Sequence, residues 1–356
     1  MNPALTRAES FCRRFGIAAP VLMAPMAGAC PVALAAAVAA GGGLGACGAL
    51  LMGPAEIADW AASMRAASRG AFQINLWVPD PAPARDPAHE RRLRRFLADW
   101  GPEVPESAGD APLRDFAAQC AAGLAAAPLA MSSIMGLFPP DVVAAMKARG
   151  ILWLANVTKV AEARTAVAAG ADVIVAQGLE AGGHRGNFRP DESAAAQVGL
   201  FALLPAVVDA VPVPVVATGG IADARGAAAA LLLGASAVQI GTGLLRAPEA
   251  GIPAPWADAL ATSAPEDTTI TRAFSGRLGR SLRNAYVRAA SAPDAPDPAP
   301  YPVQRGLSAP MRTHAARTGN IDAMQAWAGQ SAALAPAEPA DRIVSRIWKD
   351  ARAMLG

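Results

Sequence analysis

The chain has 356 residues, 53% of them hydrophobic, and 31 Lys and Arg stand against 29 Asp and Glu for a formal net charge of +2. That length buries a large core and admits one big α/β barrel or two ordinary domains. The balanced charge leaves no positive excess to hold a nucleic-acid backbone or an anionic membrane, so a small-molecule partner is the default expectation.

The N-terminal run MNPALTRAESFCRRFG carries Glu9 and several arginines where a secretory apolar segment would lie, which predicts a protein of the reducing cytoplasm. Cys12, Cys30, Cys47 and Cys120 form no C-x-x-C pair and no metal-ligand spacing with His89, His184 and His314. Neither a structural zinc nor a disulfide is expected. From Phe15 to Ala55 no side chain is charged, yet Pro20, Pro25, Pro31 and Gly41–Gly43 interrupt any apolar helix of spanning length. Buried strand, turn, buried helix and second strand account for it instead.

Taken in chain order, short β-prone runs alternate with alanine-rich runs of helical length, the pattern of a parallel sheet wrapped by helices. The strands are predicted at Val21–Met26, Leu44–Ala49, Phe72–Trp77, Leu129–Ile134, Leu152–Val157, Asp172–Gln177, Pro214–Thr218 and Ala237–Gly241. Between them, helices are predicted at Val32–Ala40, Pro54–Ala67, Pro140–Arg149, Lys159–Ala169 and Ala222–Leu233. Eight β/α alternations favour a closed (β/α)8 TIM barrel over an open doubly wound sheet, and its span is placed at residues 1–246.

Two stretches break the alternation. Residues 78–127 begin PDPAPARDP, pass through a charged helical run and reach GPEVPESAGD, an insertion after the third strand placed over the barrel mouth. Within it, Arg91, Arg92, Arg94 and Arg95 read as the solvated face of a helix. Residues 247–356 form a C-terminal extension, rich in Pro and Ala between 289 and 302, with helix-like periodicity resuming near Ile321. It is expected to pack beside the barrel or against a second subunit of a homodimer.

Ligands of such a barrel bind at the C-terminal ends of its strands, where the βα loops converge. The seventh strand ends in VVATGGIAD and the eighth in VQIGTGLL. Paired glycines let backbone N–H groups approach a phosphate closely, which makes Gly219, Gly220, Gly241 and Thr242 the candidate phosphate site. An isolated Gly-Gly is more often just a tight turn; two Gly-rich ends on adjacent strands favour the phosphate. Gly41–Gly43 lies on the opposite rim and reads as a helix cap. After the sixth strand, DVIVAQGLEAGGHRG presents Glu180, His184 and Arg185 at the mouth. An imidazole there suits acid, base or hydrogen-bonding roles near neutral pH, whereas His89 and His314 lack that address and read as structural or solvated.

QGLEAGGHRG, together with APMAG, FQINLW, ATGGIAD and VQIGTGLL, resembles the nitronate monooxygenase (2-nitropropane dioxygenase) family. The likeness extends through TRAFSGRLGRSLRN, YPVQRGLSAPMR and MQAWAGQ, and so covers nearly the whole chain. The resemblance implies an FMN-containing (β/α)8 barrel that oxidises alkyl nitronates with O2, with His184 as the active-site histidine. It also implies that Ala24, Pro25 and Met26 run along the flavin ring and that Asn75 and Gln177 bond its ring or ribityl groups. Gly182 and Gly183 would line the flavin, with Gly219, Gly220, Gln239, Gly241 and Thr242 toward the phosphate. Read on residue type alone, Ala24–Met26 is core packing and Asn75 a strand-end cap. The fourth strand departs from the family, with Ile134 and Met135 where many members have an aromatic residue or histidine.

The implied chemistry binds an anionic nitronate over the FMN, with His184 holding the nitro oxygens or removing the α-proton of a neutral nitroalkane. O2 then completes oxidation to a carbonyl compound and nitrite, without reduced nicotinamide. A different enzyme, an NAD(P)H-dependent FMN reductase of enoyl thioesters or quinones, would use the same loops. A non-catalytic flavin-binding or scaffold protein is the third reading; oxygen uptake with a nitronate separates it from the first.

Overall fold

Strands that are apolar along their whole length need cover on both faces, and here each inner face meets the other strands while each outer face meets a helix. The computed structural model describes residues 2–356. Helix α1 (Pro3–Phe15) precedes the barrel. Then come β1 (Val21–Met23), α2 (Val32–Ala40), β2 (Gly45–Gly48), α3 (Pro54–Ala67), β3 (Phe72–Trp77), α4 (Pro87–Ala98) and α5 (Phe116–Ala125). They are followed by β4 (Ala130–Ile134), α6 (Pro140–Ala148), β5 (Leu152–Val157), α7 (Val160–Ala168), β6 (Val173–Gln177) and the two-residue β7 (Gly183–His184). The rest comprises α8 (Leu200–Ala210), β8 (Val215–Thr218), α9 (Ala224–Leu232), β9 (Ala237–Ile240), α10 (Ala254–Thr262), β10 (Thr268–Thr271) and β11 (Gly279–Leu282). Helices α11 (Ala285–Ala289), α12 (Val303–Leu307), α13 (Ala309–Thr318) and α14 (Ala340–Leu355) complete it.

Eight strands pair in parallel in the order β1-β9-β8-β6-β5-β4-β3-β2. The circle closes where Met23 N donates to Leu44 O at 2.9 Å and Leu44 N to Val21 O at 3.0 Å. The barrel expected from the alternation is therefore present. The predicted strands at 72–77 and 152–157 have the observed bounds, and the others lose one to three residues. The largest trim has a physical cause: after Ala24 N bonds Ile240 O, Pro25 has no N–H with which to continue the ladder.

One end of the barrel is plugged. Phe11 and Phe15 of α1 stack at 4.2 Å and join a buried cluster with Leu22, Leu44, Leu154, Val173, Val216 and Ala237, the inward residues at the N-terminal ends of the strands. Two to four residues further along, inward positions of six strands turn polar: Asn75, Ser132, Asn156, Gln177, Thr218 and Gln239. Chemistry is thus confined to the C-terminal mouth.

The ring of helices corrects the expected bounds of both extra segments. Helix α5, placed by the sequence reading inside the 78–127 insertion, packs against α3, β3 and α6 as the third ring helix, so the excursion ends near 115. Helix α14, placed in the extension, packs between α9 and α2 as the eighth ring helix. The barrel therefore reclaims residues 340–355, and the second excursion runs from about 247 to 339. No helix forms near Ile321, where the chain makes a turn instead; the nearest helix, α13, ends at Thr318.

The two excursions share one core. Leu93, Leu97 and Val104 of the first bury against Phe274, Tyr286, Val303, Leu307 and Met311 of the second. A three-stranded antiparallel sheet, β10-β11-β7, ties this cap to the barrel, with His184 paired to Gly279. Among the described residues, no helix is long and apolar enough to cross a membrane.

Candidate active site

All thirteen residues singled out in the sequence line one cavity of about 240 Å³ at the barrel mouth: His184, Ala24, Pro25, Met26, Asn75, Gln177, Gly182, Gly183, Gly219, Gly220, Gln239, Gly241 and Thr242. Their side chains do different work. Asn75 Nδ2 donates to Ser132 Oγ at 3.0 Å and to Ser132 O at 3.2 Å, bracing neighbouring strands. Gln177 holds its own loop, donating to His184 O at 2.9 Å and accepting from Gly186 N at 2.8 Å. Thr218 Oγ1 donates to Gln239 O at 2.9 Å, which holds the ends of β8 and β9 together and leaves the Gln239 amide group at the cavity wall.

The glycine loops leave donors free. Gly219 and Gly220 follow β8 at φ 111° and 70°, backbone that a side chain would strain. Among the described residues, the N–H groups of Gly219, Gly220, Gly241 and Thr242 have no protein acceptor. Four unpaired donors thus stand at adjacent strand ends, the type of donor set to which anions bind in proteins. Close approach also explains Gly182, where a Cβ would stand 2.5 Å from Gly329 N and 2.8 Å from Thr242 Oγ1. Thr242 Oγ1 in turn accepts from Gly329 N at 3.0 Å, fastening the MQAWAGQ segment to the glycine loops.

His184 is half-buried in a wall of aromatic rings. Trp77 lies edge-on at 4.8 Å, Trp327 lies tilted at 4.9 Å, and Tyr301 stacks on the far face of this group against Trp77 at 5.1 Å. Ring nitrogen Nε2 is 2.8 Å from Ser275 Oγ. Burial, reinforced by the charges of Arg277, Arg305 and Arg312, pushes the imidazole pKa down to about 3. The ring is therefore neutral at physiological pH, free to accept a proton or a hydrogen bond.

The other two polar residues of that loop are not at the mouth in the way the motif suggested. Arg185 is buried, its guanidinium donating to Gln177 O at 2.6 Å and Ala196 O at 3.2 Å. The Glu180 carboxylate reaches the cavity wall but caps α8 through Leu200 N at 2.9 Å.

Several residues with no assigned role in the sequence reading complete the site. Arg277 is buried and forks onto Asp80 while its NH1 donates to Asn187 O at 3.1 Å. Arg312 is half-buried, held by Ser308 Oγ, Gln325 Oε1 and Arg305 O, and desolvation lowers its pKa to about 10. Arg305 lines the cavity and finds no acceptor for its guanidinium among the described residues. Met135, one of the two departures on β4, is buried against Trp77 and Tyr301 at φ 70°, while Ile134 lines the cavity. Arg277, Arg305 and Arg312 sit inside motifs quoted for the resemblance, TRAFSGRLGRSLRN and YPVQRGLSAPMR, and that likeness was the one signal of their role.

A family model described as nitronate monooxygenase matches residues 10–350. The nitronate monooxygenase of Paraburkholderia phytofirmans is 39% identical over 341 residues, covering 94% of this chain and 93% of that one. The nitronate monooxygenase of Pseudomonas aeruginosa is 38% identical over 354 residues, covering 97% and 99%. Among solved structures, nitroalkane oxidase from Streptomyces ansochromogenes superposes with a TM-score of 0.87 at 36% identity, covering 96% of this chain and 98% of that one. FabK from Thermotoga maritima does so with a TM-score of 0.77 at 26% identity, covering 97% and 96%. Matched along nearly its whole length in sequence and in fold, the chain belongs to the nitronate monooxygenase family of oxidoreductase enzymes.

Proposed function

We propose that this protein is an FMN-dependent enzyme that oxidises alkyl nitronates, and nitroalkanes after deprotonation, with O2 to a carbonyl compound and nitrite. The observation that carries the reading is the meeting of two features in one cavity: unpaired N–H groups at two adjacent glycine-rich strand ends, and a neutral histidine lining the same cavity as an unpaired arginine.

The residues fit FMN. The N–H groups of Gly219, Gly220, Gly241 and Thr242 would hold its phosphate, and the lack of Cβ atoms at Gly182 and Gly219 lets these loops pack directly against the Gly329 and Ala181 backbone. Gln239, Asn75 and Asn156 supply amides at the wall for the polar edge of the ring, and Ala24–Met26 and Gly183 supply an apolar or bare surface for its faces. Asn156 Nδ2 is buried without a partner, a donor in want of an acceptor. Bound there, FMN supplies the electron-accepting chemistry that amino-acid side chains lack.

The chain's own work is to bind and orient. Arg305 offers its guanidinium to the anionic nitro group of a nitronate. The neutral His184 accepts the α-proton of a nitroalkane; toward a nitronate, which has already lost it, the same ring serves only to position. Trp77 and Trp327, the former backed by Tyr301, pack around the ring of His184 and give the alkyl part of a substrate an apolar wall. A soluble cytoplasmic protein with a small-molecule substrate is the setting this reading requires. An absorption spectrum of the purified protein tests it: flavin bands, with FMN and not FAD released on denaturation, agree with the proposal. A colourless protein that FMN does not reconstitute defeats it.

A further inference from the structure

The two ring nitrogens of His184 have unequal surroundings. Nε2 lies 2.8 Å from Ser275 Oγ. Nδ1 has no protein partner, yet it is not among the buried polar atoms, so it opens on the cavity that the residue lines. Ser275, itself buried, sits among three groups: Nε2 of His184, the Arg277 carbonyl at 3.2 Å and the Arg277 N–H at 3.3 Å. A carbonyl oxygen can only accept and a backbone N–H can only donate. Arg277 O has no other donor among the described residues, and we assign the single hydroxyl proton of Ser275 to it. On that assignment the Ser275 lone pairs receive the Arg277 N–H and one further proton, which Nε2 supplies.

We infer that Ser275 is a positioning residue that holds His184 in the Nε2–H form, so that the lone pair of Nδ1 faces the substrate. A histidine's working nitrogen is set by the bond its other nitrogen makes. The charged groups around the ring agree. Arg277, already neutralised by Asp80, and Arg305 and Arg312 are the charges that act on it; Tyr301 lies beyond Trp77; no carboxylate contacts the imidazole. No carboxylate is placed to pair with an imidazolium before substrate binds, so the neutral ring with a defined tautomer is the resting form that receives the proton. The inference rests on His184 being the base of the proposed reaction, and its test separates the two.

The chain has three histidines, so protein labelled with 15N in its imidazoles gives three pairs of ring signals, and the pair missing from His184→Asn belongs to His184. The expected result is a protonated Nε2 and a bare Nδ1 in the wild type and in Ser275→Thr, with a mixture of tautomers in Ser275→Ala. In parallel, Ser275→Ala lowers kcat/KM for a neutral nitroalkane about tenfold and for a preformed nitronate much less, and Ser275→Thr restores it. A bare Nε2 in the wild type overturns the inference, as does a Ser275→Ala protein unchanged in both tautomer and kcat/KM. If Ser275→Ala does not fold, the wild-type spectrum and Ser275→Thr decide alone. A wild type with the Nε2–H form but no turnover of any nitro compound supports the Ser275 arrangement and overturns the nitronate reading.

Discussion

Asp80 and Arg277, 197 residues apart, form a buried bidentate ion pair, with Arg277 NH2 to Asp80 Oδ1 at 2.6 Å and Nε to Oδ2 at 2.8 Å. The pair joins the first excursion to the second beside Trp77, whose ring lies 5.8 Å under the Arg277 guanidinium. Removing one partner leaves the other charge buried and alone. Asp80→Asn should therefore destabilise the fold by about 3–5 kcal/mol. Urea denaturation of the two proteins measures this; a shift below about 1 kcal/mol would mean that water reaches Arg277.

The two glycine loops should not be equally sensitive. At Gly219, φ is 111° and an added Cβ would stand 3.0 Å from Ala181 N, so valine meets both backbone strain and a wall of backbone. At Gly241 φ is −109°, outside the left-handed region, and a Cβ would meet only the side chains of Ala24 at 3.2 Å and Met26 at 3.4 Å. Gly219→Val should lose FMN altogether, and Gly241→Val should bind it more weakly. Flavin titration of the two apoproteins gives the order; full occupancy with normal affinity in both puts the phosphate elsewhere.

The depressed pKa of His184 has a consequence for stability. Its folded value, about 3, lies below the usual 6.5, so between these pH values the unfolded chain binds a proton that the folded chain does not. The histidine's contribution to stability is thus fully present above pH 6.5 and declines as the pH falls toward 3. His184→Asn should flatten that part of the curve. Melting temperatures of both proteins at pH 7 and pH 5 check this, and equal acid-induced losses would mean that the folded imidazole titrates normally.

The unpaired guanidinium of Arg305 should show itself in binding. A charge-assisted hydrogen bond to an anion is worth about 1.5–3 kcal/mol. Arg305→Gln should raise KM for a nitronate by roughly tenfold or more and leave kcat nearly unchanged, with a smaller effect on neutral nitroalkanes. Equal losses for both substrate types would show that Arg305 shapes the pocket without reading the charge.

Much of this architecture was readable because the strands are apolar along their whole length and end in glycine-rich loops, so period and punctuation agree. What the sequence hid is long-range. The amphipathic run of α14, burying Ile343, Val344, Ile347, Ala351 and Leu355, is plainly a helix, but nothing local says that it closes the ring between α9 and α2. Phe116–Ala125 was obscured in the same way, by an excursion standing between it and its strand. His184 was findable from its address after β6; Ser275 was not, since a single serine in a loop carries no periodicity and its partner is 91 residues away.

The most direct measurement of the central claim is oxygen uptake by the FMN-loaded protein, wild type and His184→Asn, with preformed nitronate and with nitroalkane, in the absence of nicotinamide. The account predicts nitronate-dependent oxygen consumption with nitrite formed. It also predicts that the His184→Asn protein, folded and flavin-loaded, loses about 10²–10⁴-fold in kcat/KM on any nitroalkane the wild type accepts and markedly less on nitronates. No oxygen uptake with any nitronate, together with rapid bleaching of the flavin by NADH or NADPH under anaerobic conditions, would contradict it and make the protein a reductase.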